Sequence, residues 1–150
     1  MKLTIELVPS TSWYNNLRSI LSESDWNYLR KQSYKDANYK CQVCGGIGKR
    51  HPVECHEIWS YDDSKNIQKL EGLVSLCPKC HMVKHIGYAY LKGNGEIALS
   101  HLIKVNKITQ KKANKYIEEV FYIYRKRSTH NWEIDLTYLE ELNLDFNRGL

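Results

Sequence analysis

The sequence predicts an α+β fold in which a strand, a return strand and a helix are stapled by a four-cysteine metal site, with further helices and short strands on either side. Three observations carry this. Cys41-x-x-Cys44 and Cys77-x-x-Cys80 are two knuckles of the kind whose short loops bring paired thiolates to one ion. The gap between them is longer than a minimal zinc ribbon needs, so structure must be folded inside it. Helix-type apolar spacing flanks both sides of this unit.

Each element follows from local pattern. Leu3, Ile5 and Leu7 alternate with Lys2, Thr4 and Glu6, which predicts a short strand with one buried face. Ser12 can cap a helix presenting Trp13, Leu17 and Leu21, and Ser24 can cap another with Trp26 and Leu29 inside. Gly45, Gly46 and Gly48 mark a knuckle turn, and Val53 to Tyr61 reads as a strand ending at the Asp62-Asp63-Ser64 turn. The return strand spans Ile67 to Leu70 or Leu73 to Leu76. Pro78 suits the first turn of a helix that carries His81 and His85 at i and i+4, on one face. Gly87, Gly93 and Gly95 break the chain before a long helix capped by Thr109, with Ala113, Tyr116, Ile117, Val120, Phe121 and Tyr124 as its apolar stripe. Trp132, Ile134 and Leu136 alternate with Glu133 and Asp135, predicting a closing strand.

Composition limits the function classes. A chain of 150 residues suits one domain, with residues 1–40 as an N-terminal strand and helices, 41–90 as the zinc-stapled core and 91–150 as a helical and strand extension. The N-terminal segment carries Glu6 within its apolar positions and does not read as a secretory leader. No run approaches the ~20 apolar residues of a membrane span, so a soluble, cytoplasmic protein with no membrane partner is expected. Five cysteines then read as a metal site in a reducing compartment rather than as disulfides. Soft thiolates at this spacing select zinc or iron, and nothing in the sequence suggests an iron-sulfur cluster. The net charge is +5, with Lys104, Lys107, Lys111, Lys112, Lys115, Arg125, Lys126 and Arg127 in one segment and Glu133, Asp135, Glu140, Glu141 and Asp145 after it. A basic face of this kind suits a phosphate backbone, and charge alone suits a solvated helix face equally.

Knuckle, histidine-bearing strand, return strand, knuckle and histidine-bearing helix form a ββα-metal arrangement. In Cys41-Gln42-Val43-Cys44-Gly45, Val53-Glu54-Cys55-His56-Glu57-Ile58, Leu73-Val74-Ser75-Leu76-Cys77-Pro78-Lys79-Cys80-His81 and Lys84-His85 the chain resembles the HNH endonuclease (His-Me finger) family, over roughly its central third. The resemblance implies a structural zinc ion on Cys41, Cys44, Cys77 and Cys80. It further implies a catalytic divalent ion (Mg²⁺, Mn²⁺, Ni²⁺ or Zn²⁺), a base that activates water, and DNA as the partner, cleaved to leave a 5′-phosphate. Lys104, Lys107, Lys111, Lys112 and Lys115 are then candidates for DNA-backbone contacts. The chain's size would suit a phage or mobile-element protein.

Two departures from the family pattern matter. The family's middle Asn falls near Gly72, which has no side chain, and His85 is the candidate compensating ligand. On the first strand two registers are open. In one, His56 joins His81 and His85 on the metal and Glu57 is the base. In the other, His56 is the base and Cys55 takes the ligand position, which a thiolate could fill for zinc but poorly for Mg²⁺. Cys55 also reads as a small buried apolar side chain, and Glu57 equally as a salt-bridged strand residue. His51 and His101 read as incidental, and Trp59 and Tyr61 as hairpin packing. The alternative function is a non-catalytic zinc module that binds nucleic acid or a protein; an enzyme acting on RNA is a third reading.

Overall fold

The computed structural model describes residues 1–142, and Asp145 of the acidic tail lies outside them. The chain is mixed α+β. In order it forms helices α1 (Leu17–Ile20) and α2 (Glu23–Asp36), strands β1 (Glu54–Asp62) and β2 (Ile67–Leu76), and helices α3 (Pro78–Lys84), α4 (Ile86–Leu91), α5 (Gly95–Asn106) and α6 (Gln110–Arg127). Strand β3 (Glu133–Asp135) and helix α7 (Thr137–Glu140) follow.

Among the described residues the sheet is three-stranded in the order β1-β2-β3. β1 and β2 are antiparallel, from Glu54 opposite Leu76 to Asp62 opposite Ile67, and the register shifts between Ile58 and Trp59. The two segments expected as rival return strands are one strand, because that shift lets the ladder run through Gly72. β3 pairs in parallel with β2 and is shorter than the alternation at Trp132 to Leu136 predicts. Trp132 is nevertheless buried, edge-on to Tyr61 with ring centroids 5.3 Å apart.

Two apolar clusters hold the elements. The larger joins Leu3, Ile5, Leu76, Val83, Ile86 and Leu102 to Cys41, Cys77 and Cys80, so the knuckles sit in the core. The smaller contains Leu17, Trp26, Leu29, Leu70 and Leu139. Apolar area removed from water, at about 25 cal/mol per Å², is the main force assembling both.

The N-terminal alternation places its buried face correctly but forms no ladder. Leu3 and Ile5 are buried, and their backbone is tied to side chains: Leu3 N donates to Asn106 Oδ1 at 2.9 Å and Ile5 N to Tyr116 Oη at 2.9 Å. Side-chain partners satisfy the groups a neighbouring strand would have satisfied. Further on, Ser10–Ser12 is a single 3-10 turn, Asn16 rather than Ser12 caps α1, and Trp13 is exposed. α2 is capped by Ser22, whose hydroxyl accepts from Asp25 N, so it begins before the expected Ser24. Thr109 caps α6 as expected, accepting from Lys112 N at 3.2 Å.

The glycines after α3 behave differently from expectation. Gly87 lies within α4 and Gly95 opens α5; Gly93 alone, with φ of 78°, makes a left-handed break between them. The sequence pattern missed α4 and α5, whose apolar positions look unpatterned until α3 and α6 cover several faces at once.

Candidate metal centres

The first centre is built by two turns. Gly45, at φ of 76°, closes the loop so that its N–H donates to Cys41 O at 2.9 Å. Cys77 caps α3 and takes the N–H of Cys80 on its sulfur at 3.4 Å, while Gly46 N donates to Cys44 Sγ at 3.4 Å. Gln42 fastens the first knuckle to β2: its N–H reaches Ser75 O at 2.9 Å and its Oε1 accepts from Ser75 N at 2.8 Å. The sulfurs of Cys41, Cys44, Cys77 and Cys80 all lie within 4.8 Å of one another, with Cys44 and Cys77 3.6 Å apart.

A tetrahedral ion with bonds of ~2.3 Å to sulfur separates its ligands by about 3.8 Å, so this cage has the size zinc requires. The electrostatics point the same way. A hydrogen bond from Cys80, against the cost of burial, lowers the Cys41 thiol, and this then pushes Cys80 up; burial raises Cys77. Four thiolates cannot share this space without a cation between them. His101 is not incidental: its Nε2 lies 3.2 Å from Cys80 Sγ, so it belongs to the surroundings of this cage.

The second cluster forms where β1 meets α3. The candidate ligand nitrogens of His56, His81 and His85 lie within 4.8 Å of one another, and the rings are mutually edge-on with centroids 5.4, 5.1 and 4.8 Å apart. His56 is 5% exposed, opposite Val74 in the sheet. His81 is one turn into α3 and His85 ends it. Their Nε2 atoms are 3.1 Å apart.

Two carboxylates orient two of these rings. Glu54 Oε2 is 2.7 Å from His81 Nδ1, and its other oxygen is 2.9 Å from His51 Nε2. Glu6 Oε2 is 2.7 Å from His56 Nε2, and its other oxygen accepts from Lys84 Nζ at 2.9 Å. Burial would raise the Glu6 carboxyl, but hydrogen bonds and positive charge from His56 and Lys84 together hold it at about 2. The His81 hydrogen bond, joined by His51, holds Glu54 at about 2. Burial, then repulsion from His81 and His56, keeps the His85 imidazole at about 3, neutral with a lone pair to offer. A ring whose far nitrogen is held by a carboxylate, as in His56 and His81, is oriented to turn its other nitrogen toward a divalent ion, and the lone pair of His85 faces the same point.

The remaining candidates are distributed around this cluster. Glu57 Oε1 accepts from Leu17 N at 2.7 Å at the start of α1, and Glu57 also lines the depression it shares with His56 and His85. Cys55 points to the opposite face of β1, against the smaller apolar cluster, where burial raises its thiol to about 11. An added Cβ at Gly72 would meet open space. Lys104 is on α5, Lys107 ends it in a left-handed conformation, and Lys111, Lys112 and Lys115 are on the first half of α6. The stretch of α6 that lines the histidine depression is Val120 to Arg127, which begins about 8 Å beyond Lys115 along the axis at ~1.5 Å per residue.

The sequence assigns no role to Glu6, Glu54, Arg18, Arg30 or Lys84, although Glu54 and Lys84 stand within the segments that carry the resemblance. Glu54 had a usable signal, since a strand puts residues i and i+2 on one face and so sets Glu54 beside His56. Glu6 had none, because its alternation argued for solvent. Arg18 and Arg30 line a depression of about 800 Å³ together with His51, Glu54 and His81. No family model, curated protein or solved structure matches this chain. No helix among the described residues is long and apolar enough to cross a membrane.

Proposed function

We propose that the chain is a metal-dependent endonuclease of the HNH kind, in which β1, β2 and α3 act as a ββα-metal core. The observation that carries this reading is the convergence of His56, His81 and His85, with Glu6 and Glu54 behind two of the rings. A purely structural zinc module has no need of a second set of nitrogen donors beside its sulfur cage. A divalent ion held there would polarise a scissile phosphate and stabilise the leaving 3′ oxygen.

The chain's own residues supply the rest. His56, His81 and His85 present the lone pairs, and Glu6 and Glu54 fix ring orientation and tautomer. Cys55, on the far face of β1 and packed against the smaller apolar cluster, is no partner to them, which supports His56 as the ligand; the base position then falls to Glu57, whose support is that it lines the same depression. Glu57 borders the histidine depression, and activating water would require it to trade its hydrogen bond from Leu17 N. Arg18 and Arg30 on one side and Arg127 on the other are positioned to meet phosphates, although Arg127 is engaged with Asp63 at 2.9 Å. Lys104, Lys107, Lys111, Lys112 and Lys115 would extend the contact along a DNA backbone.

The second reading, a zinc module that binds nucleic acid or protein without cutting, is favoured by Gly72, which supplies no Asn-type side chain to the core. Metal content separates the two, because one bound equivalent favours the module and two favour the enzyme. The decisive assay is cleavage of supercoiled plasmid with Mg²⁺, Mn²⁺, Ni²⁺ or Zn²⁺, with an RNA arm, comparing the native chain with His56→Ala, Glu57→Ala and His81→Ala. Loss of cutting in His56→Ala and His81→Ala is expected. Absence of cutting by the folded native chain under every metal, or full activity in both histidine variants, would overturn the proposal.

A further inference from the structure

Beside the histidine cluster lies an open groove of about 700 Å³, within the ~300–1,000 Å³ typical of small-molecule sites. His85 and Glu57 line both, so the groove is continuous with the candidate site. Its walls are aromatic, with Trp13, Trp59, Tyr88 and Tyr124 among its lining residues. Trp13 is 55% and Tyr88 63% exposed, and both are large rings left facing solvent beside a polar cluster.

The same groove contains polar atoms with no partner. Gln68 is 0% exposed and lines the groove, yet neither Nε2 nor Oε1 finds a hydrogen bond among the described residues. Ser12, 2% exposed and also lining it, has an unpartnered Oγ. A buried amide without partners is costly and rare, and a purely apolar occupant would leave it so. What answers both halves of this surface is a flat heteroaromatic ring, apolar on its faces, with a donor and an acceptor side by side on its edge. Nucleobases have that design: a Gln amide pairs bidentately with such an edge, and aromatic side chains stack on the faces of unpaired bases.

We propose that this groove receives one unstacked nucleobase of the nucleic-acid substrate, with Gln68 and Ser12 on its edge and the aromatic walls on its faces, so that the adjoining phosphate lies toward His85. The inference rests on the nuclease reading for the word substrate, but the binding it asserts does not depend on cleavage. The test is a titration of the zinc-loaded full chain with the four deoxynucleoside 5′-monophosphates and with deoxyribose 5-phosphate, followed by NMR at the Trp indole and Gln side-chain amide signals. Saturable shifts of Trp13, Trp59 and Gln68 are expected with the nucleotides and not with the sugar phosphate. Gln68→Leu, which keeps the volume and removes the unpaired atoms, and Trp13→Ala at an exposed position should each weaken nucleotide binding about 10-fold, in line with the loss of one base contact.

Equal shifts with the sugar phosphate, unchanged affinity in both variants, or a Gln68 amide that contacts only water would each overturn the inference. Plasmid cleavage by the same preparations separates the two failures. Cutting without base binding removes the groove alone; base binding without cutting under any metal removes the nuclease reading and leaves the groove.

Discussion

Replacing Glu6 with Gln tests whether an extended N-terminal segment controls a centre formed fifty residues away in sequence. One Glu6 oxygen is 2.7 Å from His56 Nε2 and the other 2.9 Å from Lys84 Nζ, and the Lys84 side chain is only 7% exposed. Removing one partner of a buried ion pair costs ~3–5 kcal/mol because the remaining charge is stranded. Here the cost is smaller. Glu6 is 29% exposed, Thr4 Oγ1 still accepts from Lys84 at 2.8 Å, and the amide keeps an acceptor, so about 2 kcal/mol is expected after solvent screening. With a urea slope of ~1–3 kcal/mol/M, the midpoint should fall by about 1 M. The second consequence is independent of the first: His56 loses the carboxylate that orients it, and such losses weaken metal binding by about 10–100-fold. The assay is urea unfolding of chain loaded with one equivalent of zinc, alongside Co²⁺ or Mn²⁺ titration of the second site. A midpoint unchanged within error together with less than about threefold loss of metal affinity would refute the placement of Glu6 as the support of His56.

Three further outcomes are expected. Cys80→Ser should abolish zinc retention and unfold the α3 region, since a structural zinc site typically contributes ~10 kcal/mol or more; one retained equivalent with unchanged thermal melting would contradict it. Burial raises the Cys55 thiol from 9.0 to about 11, so at pH 8 its thiolate population, and hence its alkylation rate read by mass spectrometry in zinc-loaded chain, should be about 100-fold below that of a free thiol. The deficit should narrow as pH rises from 9 through 11, and fast modification at pH 8 would mean the site opens. Lys111, Lys112 and Lys115 changed together to Gln should weaken duplex binding without altering sequence preference and lower the salt slope by about 2.7, at about 0.9 per phosphate contact. An unchanged slope would return these lysines to the role of a solvated helix face.

Legibility varied with the range of the interaction. The β1 to α3 order, the start of α3 at Pro78 and the Thr109 cap were all readable, because each depends on residues a few positions apart. The helices α4 and α5 were not, since Gly87 and Gly95 look like breakers until Phe121 and Tyr90 are seen packed beside them. The caps of α1 and α2 were misplaced because several Ser and Asn residues compete and only the packed helix selects one.

For the candidate site the division is the same. The four cysteines and the three histidines stood out in the sequence, because short spacings translate directly into one turn or one helix face. Residue types and local spacing thus determined the sulfur cage as a reading, the i and i+4 histidine pair, and the strand that brings His56 toward them. Only the tertiary structure decided which carboxylates stand behind those rings, that Cys55 faces away, that His101 touches the cage, and that Gln68 lies buried and unpartnered in an aromatic groove. These depend on chain segments distant in sequence, such as Glu6 with His56. No local pattern encodes their meeting, since burial of both apolar clusters sets it.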